Sequence, residues 1–240
     1  MSNILVFDAS SSWCSAALSI DGTLYSVAEM QPRKHAQLIM PMIEGLCQKA
    51  GIKPTELDGI AFGKGPGSFT GLRIAISVAQ GLSLATGAKL YGISSLKALA
   101  WQAMKLKGAE RILAIMNAHM GEVFYAAYSQ TPSGIICLVE DALSKPEALD
   151  ISAISQDLCA GAVYLGAGDG FQFAAELPQD IQYLQSIDAD IAPLAESMMD
   201  LALIAWQQGQ FTAAEYQQPV YLRDTVAWKK LAEQPSLLKK

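Results

Sequence analysis

The sequence predicts an α/β protein with mixed sheets, made of two degenerate copies of one βββαβα unit. Three observations predict it. The apolar runs Ile4-Leu5-Val6-Phe7 and Ile112-Leu113-Ala114-Ile115-Met116 each stop at a short polar residue, Asp8 and Asn117, and then lead through a turn into further strand-like segments. Glycine-rich stretches, residues 63–71 and 166–170, follow a later apolar run in each half. Hydrophobic residues make up 51% of the 240 positions against 17% charged, enough apolar side chain for a substantial core.

Taken in order, Ile4 to Phe7 is apolar at every position, as a central strand buried on both faces should be. Asp8 ends it, and Ala9-Ser10-Ser11-Ser12 makes a polar turn. Residues 14–20 and 23–29 read as strands joined by the hairpin turn Asp21-Gly22. A helix is expected over 34–50, where Leu38, Met42, Leu46 and Ile39, Ile43, Cys47 form adjoining stripes; Pro41 within it predicts a kink or a late start. A strand over 57–62, a helix over 70–86, a strand over 89–93 and a helix over 94–107 complete the first half. The second half repeats the opening with strands over 111–116, 123–129 and 134–140, then a helix over 146–158, a strand over 162–165 and a helix over 193–208. The expected division is 1–107 and 108–240, the last residues (about 216–240) packing back on the first lobe. Asp8 and Asn117 are expected to face a cleft between the lobes.

Charge narrows the function. A net charge of −6 argues against autonomous nucleic-acid binding, and the basic pairs Arg33-Lys34, Lys229-Lys230 and Lys239-Lys240 are dispersed. Cys14, Cys47, Cys137 and Cys159 lie far apart, without zinc or disulfide spacing. The two histidines, His35 and His119, cannot form a helical metal pair, because the residue four after His35 is Ile39. No signal peptide or membrane span is expected, and a soluble cytoplasmic protein is.

The run Gly63-Lys64-Gly65-Pro66-Gly67-Ser68-Phe69-Thr70-Gly71-Leu72-Arg73-Ile74-Ala75 joins a strand to a helix and could bring backbone N–H groups to an anion. It is not a Walker loop, since Gly65 follows Lys64. The dinucleotide spacing fails too, ending at Thr70. Asp8, Ser10, Ser11, Gly65 and Gly67 are nevertheless candidates for a weak nucleotide (ATP or ADP) or anion site, with Asp8 over a Mg²⁺-bound water. The other reading of Asp8 is a strand-end residue closing an Asx-type turn onto Ser10. The helix that follows carries two small-residue stripes, Gly71, Ala75, Ala79 and Ser77, Gly81, Ala85. One face must meet the sheet; the other, together with Met40 and Met42 of the preceding helix, suggests docking of a second subunit.

These residues carry a resemblance over nearly the whole chain. The start Asp8-Ala9-Ser10-Ser11, Arg33 with His35 and Pro41, and above all Gly65-Pro66-Gly67-Ser68-Phe69-Thr70-Gly71-Leu72-Arg73 resemble the YeaZ/TsaB family. So do Met120-Gly121-Glu122-Val123, Pro219-Val220-Tyr221-Leu222-Arg223 and Val226-Ala227-Trp228-Lys229-Lys230. The resemblance implies a two-lobed actin/sugar-kinase-like fold, a duplicated RNase H-like unit. It also implies a non-catalytic subunit with no required cofactor, pairing with a TsaD-type catalytic subunit and a TsaE-type ATPase. That assembly transfers threonylcarbamoyl to N6 of adenosine 37 in tRNAs reading ANN codons. tRNA is then met only through the complex, and a homodimer is expected in isolation. The implied partner interface comprises His35, Leu38, Ile39, Met42, Gly67, Ser68, Phe69, Thr70, Gly71, Arg73, Ala75, Ser77, Ala79 and Gly81. Asn117 and His119 depart from the Asp and Arg common among relatives, which bears against a nucleotide-dependent role for the second lobe. The alternative is an ATP-binding actin-like ATPase or kinase acting on its own.

Overall fold

In the first strand, β1 (Ile4–Asp8), every residue is buried, and alternate side chains serve two different cores. The structure is a computed structural model describing residues 2–132 and 134–223. β1 lies between antiparallel β2 (Trp13–Ile20) and parallel β4 (Gly59–Gly65); β3 (Thr23–Met30) and β5 (Lys89–Ser94) form the edges. Leu5 and Phe7 pack with Ile39, Ile43 and Leu46 of α1 (His35–Ala50) and Ala75 and Ala79 of α2 (Phe69–Thr86). Ile4 and Val6 point the other way. They pack with Met198, Ala202 and Ala205 of α5 (Ala195–Gln207).

The second sheet has the same topology. Its strands are β6 (Arg111–His119), β7 (Glu122–Thr131), β8 (Gly134–Ser144), β9 (Leu165–Ala167) and β10 (Ser186–Asp188). The order 8-7-6-9-10 reproduces 3-2-1-4-5 of the first sheet, so the duplication is present in the strand pairing. Leu113 and Ile115 face α4 (Ser152–Cys159), Tyr164 and Phe171. Ile112, Ala114 and Met116 face Leu96, Leu99 and Ala103 of α3 (Ser95–Lys107). The helix closing each half thus packs on the sheet of the other half. Trp101 Nε1 of α3 donates to Asp200 of α5 at 3.1 Å, and Lys105 pairs with the same carboxylate at 2.7 Å. A division at 107/108 therefore leaves α3 in the first segment by chain order while its core lies largely against the second sheet.

Three local expectations are corrected. α1 starts at His35 with Pro41 inside it, not late; Pro41 and Gln37 are both exposed, so the carbonyl that loses its helical donor can meet water. The helix expected over 146–158 is a 3-10 turn at Pro146–Ala148 followed by α4. The strand expected over 162–165 is β9, and a 3-10 helix at Asp169–Phe173 stands where the first half has α2. Residues beyond 223, including the Val226 to Lys230 motif and most of the segment expected to pack back on the first lobe, lie outside the described residues.

The two stripes of α2 separate cleanly. Gly71, Ala75 and Ala79 are buried, whereas Ser77, Gly81 and Ala85 are exposed. Ala75→Leu and Ala79→Leu should therefore overpack the first core and lower the unfolding free energy by about 1–3 kcal/mol. Gly81→Ala meets no atom within 4 Å and should raise it by roughly 0.5–1 kcal/mol. Thermal unfolding of the three variants checks the assignment; equal stability across the set would refute it.

Candidate functional site

The turn after β1 sits against the glycine loop and the start of α2. Asp8 has zero exposure; its Oδ2 accepts hydrogen bonds from Ser10 N at 3.0 Å and Ser10 Oγ at 2.9 Å. Its Oδ1 is buried without a partner, facing Gly63, where a Cβ would lie 1.8 Å away. Burial pushes the Asp8 carboxyl up to about 6, partly opposed by the Ser10 hydrogen bonds. Ser10 O accepts from Ser68 N at 2.8 Å, and Ser68 Oγ caps the helix by accepting from Gly71 N at 3.3 Å. Ser11 Oγ accepts from Trp13 N at 3.2 Å. These are the bonds of the Asx-type turn, and two N–H groups that an anion would need at the helix start are already engaged internally. Gly65 is covered by the carbonyl of Val220 and Gly67 by that of Ser10.

Asn117, near the end of β6 as Asp8 is at the end of β1, is partly buried and held in a local turn. Its N–H donates to Asp169 Oδ1 at 2.8 Å and its Oδ1 accepts from His119 N at 2.8 Å, closing the end of β6. Asp169 carries the only carboxylate bonded there among the described residues, and it was not singled out in the sequence. A carboxylate two residues after a three-residue strand gives no periodic signal. No group of three or more His, Cys, Asp or Glu positioned to hold a metal occurs among the described residues.

The expected interface residues divide by burial. His35 is buried, donating Nε2–H to Trp13 O at 3.2 Å, and Ile39, Met42, Gly71, Ala75 and Ala79 are core residues. For these six, an outward docking role is corrected: their side chains, or the space where one would be, belong to the first core. Gly71 shows why, since a Cβ there would lie 1.8 Å from Ala9 O. Leu38 and Gly67 are partly exposed, and Ser68, Phe69, Thr70, Arg73, Ser77 and Gly81 are exposed. Between α1 and α2 an open groove of ≈ 450 Å³ is lined by Ala36, Phe69, Thr70, Arg73, Ile74, Ser77 and Val78. The Arg73 guanidinium lies 3.8 Å above the Phe69 ring. Tyr221 packs on Phe69 from outside the helices in a tilted arrangement, with ring centroids 5.3 Å apart and the ring planes at 46°.

Paired five-stranded mixed sheets of one topology, each covered by helices on both faces, define an actin/sugar-kinase-like protein. The family described as "TsaD: tRNA N6-adenosine threonylcarbamoyltransferase" matches residues 26–230. The chain is 38% identical to the Escherichia coli tRNA threonylcarbamoyladenosine biosynthesis protein TsaB, over 95% of this chain and 97% of that one. The Haemophilus influenzae protein of the same name is 32% identical, over 95% and 96%. A crystal structure from Pseudomonas aeruginosa, described as a protein with similarity to peptidase YEAZ, superposes with a TM-score of 0.86 at 38% identity. It covers 93% of this chain and 100% of that one. The chain belongs to the YeaZ/TsaB family.

Asp8 gives this site a pH signature. Its folded-state value of about 6 lies above the ordinary 3.8, so the folded state binds the proton more tightly. Its contribution is therefore fully present below about pH 4 and is lost as pH rises through 6. The loss is up to about 3 kcal/mol. Asp8→Asn should flatten the stability profile between pH 4 and 7 relative to the unsubstituted chain, measured by denaturant unfolding. Parallel profiles for the two proteins would show that Asp8 does not titrate there.

Proposed function

We propose that this chain is the non-catalytic subunit of a tRNA threonylcarbamoyladenosine-forming complex, docking a TsaD-type catalytic subunit through the outer face of α2 and the rim of α1. Family membership and the names of the curated relatives support the role in tRNA threonylcarbamoyladenosine biosynthesis. The observation that carries the docking mode is the face itself. Ser77, Gly81 and Ala85 form an exposed stripe beside the groove, with Phe69 49% and Leu84 90% exposed. Small residues let a second helix approach closely, and the flanking apolar side chains would be buried by it. The same face serves a homodimer when the partner is absent. A TsaE-type ATPase joins the assembly, and tRNA is bound by the complex rather than by this acidic chain.

The competing reading, an ATPase or kinase acting alone, requires Asp8 to reach a metal-bound water. Full burial of Asp8 and its bonds to Ser10 argue against that. With ATP and Mg²⁺, the purified chain should release no phosphate above buffer. Saturable release that Asp8→Ala abolishes would overturn the scaffold reading.

Gly81→Leu and Ser77→Leu place larger side chains on the outer stripe, at exposed positions. Overpacking a close helix contact costs about 1–3 kcal/mol, roughly one to two decades of affinity for the TsaD-type subunit. The expected outcome is weaker heterodimer by titration calorimetry and less modified adenosine in tRNA, with an unfolding temperature that does not fall. Unaltered affinity in both folded variants would move the interface elsewhere.

A further inference from the structure

Three motifs far apart in sequence meet on one short segment. Val220 N donates to Lys64 O at 2.7 Å, directly before the glycine loop. Gln217 anchors the segment upstream, its Oε1 accepting from Gly92 N at 3.0 Å and its Nε2 donating to Thr212 Oγ1 at 2.7 Å. The Tyr221 ring packs against Phe69 at a tilt, and its hydroxyl accepts from Arg73 Nε at 3.4 Å. Two residues later the chain has reached the second half. Leu222 packs on the core beneath the second sheet, and Arg223 grips the β6–β7 turn. Arg223 Nη2 donates to Ala118 O at 3.2 Å and His119 O at 3.4 Å, Nη1 approaches Met120 Sδ at 3.7 Å, and the guanidinium pairs with Glu122. The gripped turn is held in left-handed backbone at His119, Met120 and Gly121, with φ of 60°, 59° and 76°. Its geometry is therefore specific.

We propose that residues 217–223 are a strap that positions Phe69 and Arg73 for docking, with the Arg223–Glu122 pair setting its register from the other half of the molecule. This rests on the docking reading of α2. The contact of Tyr221 with Phe69 adds little core: the two residues are 41% and 49% exposed. What it does is fix the ring and the guanidinium that line one end of the groove. Tyr221 is a positioning residue whose exposed edge also extends the apolar patch that the partner covers. Glu122 acts at one remove, holding Arg223 and hence the direction in which the chain passes Tyr221.

The test uses the full chain and its purified TsaD-type partner, with Tyr221→Ala, Tyr221→Phe and Glu122→Gln, and Gly81→Leu as the groove control. In the free chain, amide exchange over residues 69–74 should quicken in Tyr221→Ala and Glu122→Gln and stay near the unsubstituted rate in Tyr221→Phe, which keeps the ring contact. Affinity for the partner should fall roughly 3- to 10-fold in the first two and change less than about twofold in the third. Thermal unfolding identifies any variant that fails to fold; Glu122→Gln, at a half-exposed turn, then carries the test alone. Unchanged exchange over 69–74 in the folded variants overturns the strap whatever the affinities. Weaker binding by Gly81→Leu with unaltered binding by the strap variants overturns the strap and leaves the docking face standing. If neither Gly81→Leu nor the strap variants alter affinity although exchange quickens, the docking reading fails, and the positioning role with it.

Discussion

The close approach of the Asp8-Ala9-Ser10 turn to the start of α2 is the constraint on which the first half depends. Backbone meets backbone there with no room for side chains: a Cβ at Gly63 would strike Asp8, one at Gly67 the Ser10 carbonyl, and one at Gly71 the Ala9 carbonyl. Because these positions are bare, Ser68 N can bond Ser10 O and Ser68 can cap the helix in the same half-turn. The direction of α2 is thereby set at its first residue. Its rotation about its axis follows, which is why Ala75 and Ala79 enter the core while Ser77 and Gly81 remain outside. An acidic group is held at the centre of this contact with one oxygen unpartnered, a costly arrangement that the two Ser10 hydrogen bonds only partly relieve.

A second constraint comes from duplication. Each sheet has helices on both faces, and the inner layer is filled by exchange, α3 lying on the second sheet and α5 on the first. Neither half can complete its core from its own chain segment. The exchange couples the halves through Trp101, Lys105 and Asp200 within the inner layer. A further cross-link joins Ser94 of the first half to Asp141 of the second at 2.6 Å, with Tyr128 donating to the same carboxylate. The two halves should behave as a single cooperative body rather than as domains on a hinge.

The central strands were legible because both of their faces are buried and their sequences are apolar at every position from Ile4 to Phe7 and from Ile112 to Met116. β1 is apolar on both faces, its counterpart β6 repeats the pattern, and the short polar residues at their ends mark where each strand stops. The second half was less legible beyond β8. Residues 146–158 have helical composition, yet only the later part is α-helix; the earlier part closes as a 3-10 turn at Pro146 and reaches the same core through Leu149 and Ile151. β10 is three residues long, too short for any alternation to register.

The sequence by itself determined the doubled α/β architecture, the glycine loop leading into a helix, and the presence of two small-residue stripes on that helix. These are local matters of periodicity, backbone freedom and spacing. Which stripe faces outward was decided only by the tertiary structure, because a helix carries equal small faces until a sheet covers one of them. The same holds for Asp8, whose carboxylate could serve a ligand or a turn until burial and Ser10 committed it to the turn. Tyr221 and Arg223 belong here as well. Their meaning lies in contacts with Phe69 and Glu122, 152 and 101 positions away, and such distant pairings leave no periodic trace in a single chain.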